Sequence, residues 1–147
     1  MTPEWSHLLN AKYIDLILAD VTANPSNWTI TVEWANNWDD AWANAWYLVF
    51  EAAYAAKRDH AWTAARDSAW TITMTAASIV ARDSPWISTN DASYTAVSGA
   101  ILALIAHDDC AYLLDAKPEY VQMIALLGNP AAVLLYPACI AMNSVAP

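Results

Sequence analysis

The chain has 147 residues, 58% of them hydrophobic, which suits one domain with a sizeable core and excludes a disordered segment. Its formal net charge is −9, and its six bases, Lys12, Lys57, Arg58, Arg66, Arg82 and Lys117, are scattered, so a nucleic-acid partner is excluded. Nine Trp, seven Tyr and only two Gly favour helices packed with indole and alanine over a sandwich that needs turn glycines.

Thr2-Pro3-Glu4 reads as a helix start, and Trp5, Leu8, Leu9, Tyr13, Leu16 and Ile17 follow at helical spacing. A first helix is therefore expected from about residue 3 to about 20, ended by Asn24-Pro25-Ser26-Asn27. Trp28, Ile30, Val32 and Trp34 then alternate with Thr29, Thr31 and Glu33 at period two, the pattern of a strand. A lone strand has no partner within the chain. The segment is either a loop or irregular helix start, the favoured reading, or a strand that pairs with its copy in a second molecule. In the second case Trp28, Ile30, Val32 and Trp34 form an interface and the chain is a homo-oligomer.

Asn37, with Asp40 three residues on, reads as the next helix cap. From there to Ser84 there is neither Gly nor Pro, and one helix of that span would be roughly 70 Å long. A break is expected at Lys57-Arg58-Asp59-His60, with Thr71-Ile72-Thr73 a second weak point. Further helices are expected from Thr89-Asn90-Asp91 to about Leu114, from Pro118 to Gly128, and from Asn129-Pro130 onward, the last bent or broken at Pro137. The greasy stretch Ile124–Met142 is interrupted by Gly128, Asn129, Pro130 and Pro137, so it reads as two short core helices and not as a membrane span. Met1 to Trp5 carries no basic run ahead of an apolar one, so no export signal is expected and the expected compartment is the cytoplasm. The fold expected is all-α, a compact bundle of about five or six helices with a Trp/Ala-rich core. It forms one domain over 1–147, with an N-terminal helix and loop or strand (1–35) before the helical core (36–147).

An aromatic row runs at steps of four: Trp34, Trp38, Trp42, Trp46, Phe50, Tyr54, continuing as Arg58, Trp62, Arg66, Trp70, Met74. A step of four overshoots a turn, so the row winds around its helix, and a helix contacted from several sides is expected in the middle of the bundle. Within it lies an octad, Arg58-Asp-His-Ala-Trp62 and Arg66-Asp-Ser-Ala-Trp70, with Arg82-Asp-Ser-Pro-Trp86 further on. Each Arg stands four residues before a Trp, a spacing at which a guanidinium can stack on an indole. The favoured reading is structural: Ala lets helices approach and Trp fills the gaps. The alternative is a Trp-lined ligand pocket formed by Arg58, Trp62, Arg66 and Trp70 with Asp59 and His107.

The octads, with Ala106-His-Asp-Asp-Cys-Ala-Tyr-Leu-Leu-Asp115 and Leu127-Gly-Asn-Pro-Ala-Ala-Val-Leu-Leu-Tyr-Pro-Ala138, resemble a group of small uncharacterised Ala/Trp-rich proteins of tailed bacteriophages, over roughly residues 50–142. The resemblance implies an accessory protein in an infected bacterial cytoplasm, or a virion component.

The densest polar cluster is His107-Asp108-Asp109-Cys110. On a helix, His107 and Cys110 would share a face, and His60 or Asp59 from another helix would complete a metal site. Two ligands at common spacing do not make one, so neither a metal nor any other cofactor is expected. A Cys110–His107 catalytic pair lacks a readable oxyanion hole. Cys110 and Cys139 match no zinc or CxxC pattern and read as small buried hydrophobes. The functional expectation is a non-enzymatic accessory protein that binds a host or phage protein and self-associates as a homo-oligomer, with inhibition of a host enzyme or defence system as its role. Ligand sequestration and a virion or assembly role are the alternatives, and neither nucleic acid nor a membrane is an expected partner.

Overall fold

A computed structural model describes residues 3–30, 38–80 and 86–143. The described residues form six α-helices and two 3-10 turns and contain no strand. The order is α1 (Ala11–Ala23), a 3-10 turn (Pro25–Ile30), α2 (Asp39–Ala55), α3 (Asp59–Val80), α4 (Trp86–Ala106), a 3-10 turn (Ala111–Leu114), α5 (Pro118–Leu126) and α6 (Pro130–Met142).

The centre of the bundle is α4 and α6. In α4 every residue from Ala96 to Ile105 is buried, and in α6 so is all of Ala131–Leu135 together with Pro137, Ala138, Cys139 and Ala141. Helices apolar on all sides belong in the interior. Helices α3 and α2 pack on α4, α2 and α5 pack on α6, and α1 lies on α3.

The Trp/Ala helices therefore flank the centre and do not form it. Besides Trp62 and Ala76, their buried positions among the described side chains are Ala45, Val49 and Ala53 on α2 and Ala61, Ala65, Ala69 and Thr73 on α3, each of these seven one residue before a member of the row. The alanines face inward and let the helices close up, while the row lies beside the seam. Trp42 and Trp46 are half-buried, Trp62 is buried, and Trp70 is largely exposed. Gly99 on α4 receives Trp42: a methyl there would come 2.9 Å from the indole Cζ2.

Two helix ends share one device. At α2 the Lys57 N–H bonds to Tyr54 O at 2.9 Å and the Arg58 N–H to Ala53 O at 2.9 Å, with Lys57 left-handed at φ 60°. At α5 the Gly128 N–H bonds to Ala125 O at 3.0 Å and the Asn129 N–H to Ile124 O at 3.3 Å, with Gly128 at φ 94°. Both are Schellman ends, one built with glycine and one without. Asn129 then caps α6, its side chain accepting from Ala132 N, with Pro130 in the first turn.

Several sequence expectations need correction. The first helix begins at Ala11, not near Pro3, because residues 3–10 are turns folded against the bundle. There Trp5 is buried and donates its indole N–H to Asp15 at 3.0 Å. The described part of the strand-like segment, Trp28 to Ile30, is a 3-10 turn, in line with the favoured non-strand reading and against the strand alternative. Trp28 is 1% exposed, with its indole N–H on Asp20 at 2.9 Å, so its side chain is spent on the core and does not present an interface. Val32 and Trp34 lie outside the described residues, as do the Ile30 side chain, the Asn37 cap and the Arg82–Trp86 octad contact. Helix α3 runs unbroken through Thr71-Ile72-Thr73; the Thr71 and Thr75 hydroxyls bond back to the carbonyls of Asp67 and Thr71. Helix α6 likewise continues through Pro137.

Candidate functional site

The polar cluster of the sequence sits where α4 stops. The helix ends at Ala106, not Leu114, so His107 to Cys110 form a loop and do not share a helix face. An α-helix leaves its last carbonyls without intrahelical donors, and two distant side chains and one nearby thiol supply donors here. Buried Asn10 donates its Nδ2 to Leu104 O at 2.9 Å and to His107 O at 2.8 Å. Arg58, from the α2–α3 turn, donates Nη1 to Ile105 O at 2.8 Å. The Cys110 thiol donates to His107 O at 3.1 Å and Ala103 O at 3.4 Å.

Arg58 also forks onto Asp108, at 2.7 Å and 3.0 Å. That hydrogen bond holds the Asp108 carboxyl below its ordinary pKa and raises Arg58. Burial, with Asp109 second, pushes the Cys110 thiol up to about 12. A thiol held protonated and spent on two carbonyls is a poor nucleophile. Cys139 is similar: buried, pushed up to about 11 chiefly by desolvation, and donating to Ala116 O at 3.3 Å.

The octad geometry is the reverse of the expected one. Arg66 lies over Trp62, four residues before it, at 5.1 Å from the ring centroid. Helical side chains lean toward the N-terminus, so a long Arg reaches back, not forward. Trp62 meets Phe50 and Trp46 edge-on at 5.3 Å and 5.7 Å, and Phe50 and Trp46 stack at 5.5 Å. Trp70 stands edge-on to Tyr94 at 4.7 Å. Arg58 bonds to Ile105 O and Asp108 at the end of α4, where the loop carrying His107 begins, Arg66 stays with Trp62 on α3, and Asp59 and His60 are exposed at the start of α3. Among the described residues no three His, Cys, Asp or Glu side chains are placed to hold a metal ion, so His60 does not join His107 and Cys110. No helix among those residues is long and apolar enough to cross a membrane.

A cavity of about 300 Å³ opens beside the α4 terminus. The loop contributes His107, Asp109 and Cys110, the second 3-10 turn Tyr112 and Leu113, and the facing side is Asn129, Pro130 and Ala131. Next to it stands α5. Val121 and Ala125 face α6, while the opposite arc carries Tyr120, Met123, Leu126 and Leu127 into solvent. Leu126 is 67% and Leu127 80% exposed. Around the helix at 100° per residue these four residues and Glu119 occupy one continuous third of the circumference. Exposed Tyr112 joins the same surface, with the Tyr120 phenol beside it. The exposed Tyr47, Leu48 and Tyr54 of α2 are interrupted by exposed Asn44 and Glu51.

Sequence reasoning did not single out Tyr112, Tyr120, Met123, Leu126 or Leu127. The signal was excess: Pro118–Leu127 has seven apolar side chains in ten positions, too many for the one buried face of a peripheral helix. Comparison of the chain with protein-family models, with curated proteins and with solved structures found no significant match.

Proposed function

We propose that this chain acts by protein–protein interaction, as a non-enzymatic accessory protein, and that the outer face of α5 is its contact surface. The observation that carries the reading is the continuous exposed arc of Tyr120, Met123, Leu126 and Leu127, extended by Tyr112. Scattered exposed apolar residues are ordinary, but a contiguous patch marks an interaction site. Tyr and Met are also among the residues that interface cores favour. Burial and hydrogen bonding of both described thiols speak against nucleophilic chemistry at Cys110 or Cys139.

The resemblance to phage accessory proteins supplies the setting: the partner is a bacterial host or phage protein, and blocking a host enzyme or defence system is the role such a contact would serve. The test is affinity capture from bacterial lysate, with wild-type bait and a Met123→Glu/Leu127→Glu bait in parallel. Both positions are exposed, so the double variant keeps the fold. A protein retained by the first bait and lost from the second is the expected result; identical captures would overturn the assignment of the surface.

A further inference from the structure

The rim of the α5 face is acidic. Asp109 stands at the cavity, Asp115 follows the second 3-10 turn and Glu119 lies within the exposed arc, and all three are exposed. The ion pairs Arg58–Asp108 and Arg66–Asp67 include none of these three. Between His107 and Ala131 the sole Lys or Arg is Lys117. Tyr112 belongs both to the cavity wall and to the apolar surface, making them one continuous site. The cavity lining is mixed: Leu113, Pro130 and Ala131 supply apolar surface, and His107, Asp109 and Asn129 supply polar groups.

Resting on the interaction reading above, we infer that this face recognises a basic amphipathic peptide segment of its partner. Apolar side chains of the segment lie along Tyr120, Met123 and Leu127, one of them enters the cavity past Tyr112, and Lys or Arg side chains meet Asp109 and Glu119. An apolar surface with an acidic rim selects such a segment because the apolar contact supplies affinity and the charges supply orientation and partner choice. The same charges argue against a second copy. A two-fold contact sets one patch against itself, so it would bring like carboxylates together between chains of net charge −9. The cavity alone is at the small end for a free ligand, whereas a peptide also uses the ridge beside it.

The probe is a synthetic helical peptide of Leu and Lys with one apolar face, compared with its Leu and Glu counterpart by isothermal titration calorimetry against the full chain. The Lys peptide is expected to bind and to weaken as salt rises. An Asp109→Asn/Glu119→Gln variant should bind it about three- to tenfold more weakly, the scale of two rim charge pairs. An Asp40→Asn/Glu51→Gln variant, exposed acids on α2, should bind as the parent does. Equal losses in the two variants, or equal binding of the two peptides, would overturn the basic-partner inference while leaving an apolar contact on α5 standing. A patch-dependent dimer that excludes the Lys peptide would also overturn it, in favour of a second copy. If neither peptide binds and the Met123→Glu/Leu127→Glu bait captures what the wild type captures, the interaction reading itself falls.

Discussion

Replacing Trp62 by Ala weighs the aromatic seam directly. Trp62 is 6% exposed and is held by the edges of Phe50 and Trp46 and by the guanidinium of Arg66. Truncating a buried Trp to Ala costs about 3–5 kcal/mol. One term opposes this. The indole Nε1–H is buried with no hydrogen-bond partner, a penalty of about 1–3 kcal/mol that disappears with the ring. The net loss expected is about 2 kcal/mol. Trp70, 43% exposed, is the control on the same helix, with Tyr94 edge-on against it. Its removal gives up part of one surface and one ring contact, about 1 kcal/mol. Urea unfolding followed by far-ultraviolet circular dichroism separates the two. At a slope of about 2 kcal/mol per molar, Trp62→Ala lowers the midpoint by about 1 M and Trp70→Ala by about 0.5 M. Equal midpoints for the two variants would refute the reasoning, because burial would then not decide which indole holds the seam.

Gly99→Ala should destabilise by about 1 kcal/mol: the helix gains about 1 kcal/mol from Ala, but the methyl meets Trp42 at 2.9 Å and overpacking costs about 1–3 kcal/mol. Thermal unfolding checks it, and a raised Tm would mean that Trp42 swings away freely. Asp108 has a lower pKa folded than unfolded, so the Arg58 pair stabilises fully above the ordinary carboxylate range and that contribution is lost as pH falls through the folded value. Because both partners are partly exposed, its worth is about 1 kcal/mol or less, and Asp108→Asn should flatten the stability curve below about pH 4 by that amount. Cys110 and Cys139, raised to about 12 and about 11, should ignore Ellman's reagent at neutral pH in the native chain and both react in urea; fast native labelling would mean the α4 terminus is open.

The helical architecture was legible because its signals are local. The Lys57-Arg58 break, Pro118, Gly128 and the Asn129-Pro130 cap each act within a few residues, and the structure puts helix ends at all four. Thr2-Pro3-Glu4 misled because tertiary burial of Trp5 and the reach of Asn10 to the end of α4 outweigh a good capping sequence. The step-four row misled in another way. Its aromatic members attract the eye, but the small residues just before several of them, Ala45, Val49, Ala53, Ala61 and Ala69, set the buried face, and α4 and α6 supply the centre. The polar cluster at His107 was visible as a cluster, yet its partners, Asn10 and Arg58, come from residues 97 and 47 or more positions away. No spacing rule connects them. The α5 face was missed for a related reason: apolar composition alone does not say which of two faces a short helix buries.

The claim that most of this account serves is that the outer face of α5 meets another polypeptide. A photoreactive benzoylphenylalanine placed at Met123, with the same residue at exposed Glu51 as reference, tests it in bacterial lysate under ultraviolet light. A discrete adduct with a second polypeptide is expected from position 123 and none from position 51. No adduct at 123, or the same adducts from both positions, would contradict it.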